Sequence, residues 1–187
     1  MVERRGFLAV AGTALAGGVL AACGSSNDES GGIATETGAE RSSAGSADVA
    51  ILNQALGLEL RSVAAYAAAA DRLNGKLKQT AQTFGAQERQ HADALSSAVT
   101  QLGATPASPR DRYALPPLPN DAAVLRFAMG IEQIAIAQYL DLIPKLSSQN
   151  LRGSFAAILT VEGEHLAVLR EEAGEDPTPD AFVRGQA

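Results

Sequence analysis

Cysteine is nearly absent from this chain, which has a single one, Cys23, among its 187 residues. A lone cysteine cannot form a disulfide bond within the chain, and it excludes the paired-cysteine sites that hold iron or structural zinc. The chain has no tryptophan and only 4% aromatic residues, which argues against a β-sandwich, since sheets favour aromatic and β-branched side chains. It also lacks a cluster of basic residues and has a formal net charge of −6, so nucleic acid is not an expected partner.

The first 22 residues resemble a targeting signal rather than part of a folded domain. Arg4 and Arg5 precede an uncharged run rich in Ala and Gly, as in bacterial twin-arginine signals. This run is about 17 residues long, shorter than the roughly 20 that a membrane span needs. Leu20-Ala21-Ala22-Cys23 then resembles a lipobox, in which the chain is cut before the cysteine and Cys23 carries a lipid. We therefore expect an exported lipoprotein anchored to the outer face of the bacterial cell membrane.

Apolar residues recur at helical spacing in four later segments, which predicts an all-α fold, an antiparallel four-helix bundle. The predicted helices cover residues 48–74, 76–102, 121–143 and 150–173. Residues 104–119 contain five prolines and predict a long crossover between two helical hairpins. The bundle therefore occupies residues 48–174, between a disordered tether at 23–47 and a flexible tail at 175–187.

Two Glu-x-x-His motifs contain the only two histidines of the sequence, Glu88 with His91 and Glu162 with His165. Residues three apart in a helix share a face, so each pair can direct a carboxylate and an imidazole toward one point. A single such motif is more often a pair on the helix surface. Two of them, with a carboxylate from each of two further helices, form the ligand set of a di-metal bundle.

The two predicted hairpins repeat each other at an offset of 73 or 74 residues. Glu59 aligns with Glu132, and Tyr66 and Tyr139 each follow their glutamate by seven residues. In both hairpins the two glutamates lie at equal distances from the turn, roughly 14 residues or 20 Å along the helices. Two unrelated motifs would have no reason to share a depth, so the arrangement favours one di-metal site.

At these positions, residues 48–174 resemble the ferritin-like superfamily, in the branch of bacterioferritins and rubrerythrins where both hairpins keep Glu-x-x-His. With its N-terminal signal, the chain resembles an exported bacterial ferritin-like lipoprotein. The resemblance implies two bound iron or manganese ions, with iron favoured, and one bridging glutamate from each hairpin. Carboxylate and imidazole ligands suit these metals better than Mg or Ca. The implied ligands are Glu59, Glu88, His91, Glu132, Glu162 and His165.

The resemblance also implies redox chemistry with O2 or peroxide, such as ferroxidase activity or peroxide scavenging, and so an oxidoreductase. Because the chain has no cysteine pair to carry an internal electron donor, an external reductant or the metal substrate itself would supply electrons. Two alternatives remain open: a module that binds or stores metal without turnover, and a metal-free structural bundle. The roles of Tyr66 and Tyr139 are open between core residues and donors to ligand carboxylates. The oligomeric state is also open, although a 24-mer cage is not expected, since no fifth helical pattern follows Gly174.

Overall fold

A computed structural model describes the backbone of residues 36–186 and the side chains of residues 45–186. In this part of the chain there are four long helices, one short 3₁₀ turn and no strand. The predicted four-helix bundle is therefore confirmed. Its elements are α1 (Glu36–Ala70), α2 (Gly75–Gln101), α3 (Asp121–Leu142), the 3₁₀ turn (Ile143–Lys145) and α4 (Gln149–Glu172). None of the helices described here combines the length and apolar character needed to cross a membrane.

The helix ends follow local signals in the sequence. Asn120 is the N-cap of α3, and its side chain accepts a hydrogen bond from the Ala123 amide at 2.9 Å. Ser148 caps α4 in the same way. Gly103 and Gly174 follow α2 and α4 with positive φ, the left-handed conformation that stops a helix. The short connections at residues 71–74 and 143–148 fold α1 against α2 and α3 against α4 as two antiparallel hairpins.

The start of α1 differs from the prediction. The helix begins at Glu36, so residues 36–47, predicted as part of a disordered tether, are helical. These residues contain no proline, and extending a helix that is already nucleated costs little compared with starting one. The twin-arginine motif with Arg4 and Arg5, the lipobox cysteine Cys23 and the first part of the tether lie outside the described residues.

Two polar side chains of α1 fix the loops that connect the other helices. Asp48 is buried and accepts hydrogen bonds from the Ser147 and Ser148 amides, at 2.7 and 3.0 Å, in the α3–α4 connection. Asn53 accepts from the Ala107 amide at 2.7 Å, at the start of the crossover. Because buried backbone groups need partners, these contacts hold both loops against the bundle.

Apolar side chains form two separate clusters at opposite ends of the bundle. The first cluster includes Phe84, Val124 and Leu169, and the second includes Leu52 and Phe155. Phe84 and Phe155 are therefore both core residues. Between the two clusters lies a layer of buried acidic and histidine side chains.

The C-terminal segment after α4, predicted as a flexible tail, is not helical, and its last described residues contact the bundle. The Gln186 amide donates a hydrogen bond to the Gln133 carbonyl of α3 at 3.2 Å. At Gly185 the backbone passes so close to α3 that a Cβ atom would overlap the backbone of Ala137. Glycine allows this approach, and it returns the tail to the bundle.

Candidate metal centre

The layer between the two apolar clusters contains all six residues predicted as metal ligands. Helices α1 and α3 each contribute one glutamate, and α2 and α4 each contribute a Glu-x-x-His motif. The four glutamates are fully buried, His165 is 2% exposed, and His91 is partly exposed. Six side chains from four helices therefore converge at the depth expected from the sequence repeat: Glu59, Glu88, His91, Glu132, Glu162 and His165.

The six side chains form two overlapping groups, each around one histidine. The first group contains Glu59, Glu88, His91 and Glu162, and the second contains Glu88, Glu132, Glu162 and His165, with ligand atoms within 4.8 Å of one another in each group. In the first group, His91 Nδ1 lies 3.1 Å from Glu162 Oε1. In the second group, His165 Nδ1 lies 3.2 Å from Glu88 Oε1. Glu88 and Glu162 belong to both groups, one from each hairpin.

Most polar atoms of this layer have no hydrogen-bond partner among the described residues. The unpartnered atoms include Nδ1 of both histidines and both carboxylate oxygens of Glu88 and of Glu162. Leaving a buried polar group without a partner costs about 1–3 kcal/mol, and more for a charged group. Cations would satisfy these atoms, and the mixture of nitrogen and oxygen donors suits Fe or Mn. The residues present therefore fit the metal pair that the sequence implied.

The two tyrosines of the repeat donate hydrogen bonds into the layer. The Tyr66 hydroxyl donates to Glu132, and the Tyr139 hydroxyl donates to Glu59. Each tyrosine thus bonds the glutamate of the other hairpin, and both rings are buried among apolar side chains. The alternative left open by the sequence is resolved, since each tyrosine is both a core residue and a donor to a carboxylate of the cluster.

Burial controls the protonation of three of the glutamates. Loss of hydration raises the pKa of Glu59 and of Glu132 to about 8. It outweighs the neighbouring His91 at Glu59, and Glu162 and the Tyr66 hydroxyl at Glu132, which favour the charged forms. Burial likewise raises the pKa of Glu162 to about 9. Without metal ions, these three carboxyl groups therefore retain protons at neutral pH.

The remaining charge is concentrated on Glu88 and His91. Burial acts to raise the pKa of Glu88, but the adjacent His165, His91 and Glu59 side chains outweigh it and lower the pKa to about 2. Burial acts to lower the pKa of His91, but its contacts with Glu162, Glu59 and Glu88 raise it to about 12. In the metal-free layer Glu88 and His91 are therefore oppositely charged, with His91 Nδ1 3.7 Å from Glu88 Oε2.

One positioning residue, Gln87, was not predicted. Its Oε1 lies 2.8 Å from His165 Nε2, so in a metal-bound centre Nε2 would donate to Gln87 and Nδ1 would present its lone pair to the cation. Phe84 stacks on the same imidazole at 3.9 Å between ring centroids. A polar residue on the buried stripe of α2, one position before Glu88, was the available signal in the sequence.

Four other acidic residues face solvent, so none of them orients a histidine. Asp71, Asp93 and Glu164 are exposed, and Asp141 pairs with Lys145 at 2.7 Å on the surface. In the described part of the chain, His91 has no counterpart to Gln87, and its side chain is 12% exposed. The two halves of the centre are therefore unequal: the His165 half is buried and oriented, and the His91 half is more open.

Replacing Gln87 by leucine is expected to weaken metal binding about 10- to 100-fold, because His165 would lose the partner that fixes its tautomer and ring orientation. Metal titration monitored by isothermal calorimetry measures the change. Gln90→Leu is the matched control, since Gln90 is an exposed glutamine on the same helix. An unchanged affinity in Gln87→Leu would show that His165 needs no such support.

Comparisons with known proteins agree with this architecture. The family model described as ferritin-like domain matches residues 47–175. A dodecameric thioferritin, the bacterioferritin-related protein from Bacteroides fragilis, superposes with a TM-score of 0.61 at 20% identity, over 68% of this chain and 84% of that one. A conserved hypothetical protein from Mycobacterium tuberculosis superposes with a TM-score of 0.66 at 21% identity, over 74% of this chain and 99% of that one. No curated protein matches the sequence significantly.

The chain has a bundle of this topology, a carboxylate and histidine layer across its middle and a family match over most of its length. It therefore belongs to the ferritin-like domain family.

Proposed function

We propose that this protein binds two iron or manganese ions, with iron favoured, and carries out redox chemistry with O2 or peroxide, such as ferroxidase activity or peroxide scavenging. One observation carries the proposal: eight buried ligand atoms without hydrogen-bond partners form two groups that share Glu88 and Glu162. Bound metal ions would supply the exchange of electrons with the oxidant. The remaining chemistry belongs to the side chains of the layer.

Each side chain has a distinct part in holding the metal pair. Glu88 and Glu162 belong to both groups and would hold both ions, while Glu59 and Glu132 each belong to one group and would hold one. The tyrosine hydroxyls occupy one oxygen of Glu59 and one of Glu132, which leaves the other oxygen of each free for a cation. Four carboxylates also balance two divalent cations, so metal binding would displace the protons that burial retains on three of them.

The source of electrons is part of the same proposal. The sequence has one cysteine and therefore no cysteine pair for an internal one-electron donor. Electrons would come from an external reductant or, for ferroxidase activity, from Fe(II) itself. The partial exposure of His91 places the more open half of the centre nearer to solvent, where such a reactant would arrive.

Aerobic Fe(II) loading tests the proposal directly. We expect about two metal ions per chain, a large increase in thermal stability, and O2 consumption that accompanies Fe(II) oxidation. The Glu59→Ala, Glu132→Ala double variant should lose all three. Fewer than one ion per chain with unchanged thermal stability, for both Fe(II) and Mn(II), would contradict metal binding. Stoichiometric binding without O2 uptake would instead assign the protein to metal storage.

We further propose that the chain is exported and held at the outer face of the membrane by a lipid on Cys23. The twin-arginine motif at Arg4 and Arg5 and the lipobox support this, and twin-arginine export of a folded chain would allow metal loading before secretion. Cys23→Ser is expected to move the protein from the membrane fraction to the soluble fraction, as measured by fractionation and immunoblotting. Retention of the variant in the membrane would contradict the lipid anchor.

A further inference from the structure

A basic cleft lies outside the metal centre, where the crossover passes over the groove between α1 and α3. It has a volume of about 400 Å³ and is open to solvent on one side. We call it the arginine cleft, and its polar lining consists of Gln54, Arg61, Arg110, Arg112, Tyr113 and Gln138. The remaining lining is apolar or glycine, and no acidic residue lines it.

The charge of the arginine cleft is opposite to that of the whole chain. Three arginines line it in a protein whose formal net charge is −6. Among residues 45–186, the ion pairs of lysine and arginine are Lys76 with Glu172 and Lys145 with Asp141. No carboxylate among these residues forms an ion pair with the three arginines of the cleft, and the nearest one in the chain, Asp111, lines the adjoining pocket instead. Like charges repel when brought together, so a cluster without counterions favours an anionic ligand.

The cleft is built by contacts that hold the crossover in place. Asn53 fixes the crossover to α1 through the Ala107 amide, and Gln138 of α3 donates to the Gln54 carbonyl of α1 at 3.3 Å across the groove. The Arg110 amide donates to the Tyr113 hydroxyl at 3.2 Å, which closes the loop on itself. This hydroxyl accepts rather than donates there, so its own proton is available to a ligand.

The sequence repeat shows that the bundle itself does not require this charge. When the two hairpins are aligned with Glu59 on Glu132, Arg61 corresponds to Ile134 in the sequence. Both residues line the cleft. The same helical position thus accepts an apolar side chain in the second hairpin. The other two arginines come from the crossover, which has no equivalent in the repeat.

We propose that the arginine cleft binds a small phosphate-type oxyanion. Guanidinium groups match the geometry of phosphate oxygens, and amide and hydroxyl donors complete the shell. The concave shape suits a free anion, although a phospholipid headgroup would present the same chemistry. The cleft is independent of the metal ligands, but Leu58 and Gln138 in its lining adjoin Glu59 and Tyr139, the hydrogen-bonded pair of the metal layer.

Calorimetric titration of inorganic phosphate into the full chain tests this proposal. The protein carries Cys23→Ser to remove the proposed lipid and is kept metal-free with a chelator, so that neither phosphate binding to metal nor failure of the metal chemistry affects the result. We expect saturable binding of one phosphate per chain. The double variant Arg61→Gln, Arg112→Gln should weaken it about 100-fold, since each of the two lost charged hydrogen bonds is worth about one order of magnitude.

Arg126→Gln is the matched control, because Arg126 is exposed on α3 and does not line the cleft. Unchanged circular dichroism confirms that each variant folds. The second arm measures co-sedimentation with phosphatidylcholine vesicles, with and without phosphatidylglycerol. Vesicle binding that needs Arg61 and Arg112, without binding of free phosphate, would assign the cleft to a lipid headgroup. No saturable binding in either arm, or equal weakening by Arg126→Gln, would overturn the proposal.

Discussion

Replacing Glu162 by alanine is expected to reduce bound metal from about two ions per chain to fewer than one. Glu162 belongs to both ligand groups and is fully buried, so its loss removes a shared carboxylate from each half of the centre. The stabilisation that metal provides should disappear with it, a difference of about 4 kcal/mol when free metal exceeds its dissociation constant a thousandfold. Elemental analysis and thermal unfolding with and without metal measure the two effects.

Glu164→Ala provides the control for this experiment. It removes the same carboxylate from the same helix, two residues away, at an exposed position. Glu162→Gln adds a second comparison, because it keeps the volume of the side chain and removes only its capacity for negative charge. If Glu162→Ala retains two ions while remaining folded, the convergence of the six side chains does not represent a metal centre.

The stability of the metal-free protein is expected to fall as the pH rises from about 5 to about 8. The folded state retains protons on Glu59, Glu132 and Glu162, whose pKa values are raised to about 8, 8 and 9, whereas the unfolded chain releases them near 4.5. Because the folded state binds more protons than the unfolded chain, the free energy of unfolding falls as the pH rises. The fall is about 1.4 kcal/mol per pH unit for each extra proton bound. His91 acts in the same direction above pH 6.5, because its folded pKa is raised to about 12.

Glu88 sets the limit of this trend at low pH. Its pKa is lowered to about 2, so its contribution is present above pH 4.5 and is lost as the pH falls toward 2. Urea unfolding at several pH values measures the whole profile, and Glu162→Gln should make the slope shallower between pH 5 and 8. Metal should reverse the trend, because its binding displaces protons and strengthens as the pH rises. A metal-free protein that becomes more stable from pH 5 to 8 would contradict these assignments.

The four helices and the six converging residues could be predicted because each depends on a repeated local pattern. Helical periodicity located the bundle, and the Glu-x-x-His spacing determined which side chains share a face. The repeat then supplied Glu59 and Glu132, since equal distance from two turns is a property of the sequence alone. The start of α1 could not be predicted in the same way, because helix extension into residues 36–47 has no periodic signal.

The features that escaped prediction depend on contacts between distant segments. Gln87 has a role only because α2 packs beside α4 and brings it to the outer nitrogen of His165. The arginine cleft combines Arg61 with Arg110 and Arg112 from the crossover, and no spacing rule relates these positions. The contact of Gln186 with α3 likewise depends on the path of a segment without secondary structure.

The charged layer between the two apolar clusters has a consequence for how the domain unfolds. Among the side chains assigned to these clusters, Leu159 alone packs against both. Cooperative melting requires that the loss of one end destabilise the other, and here that coupling passes through the four continuous helices and through the carboxylates and histidines between the clusters. The charge state of six side chains therefore contributes to how cooperatively the whole bundle melts.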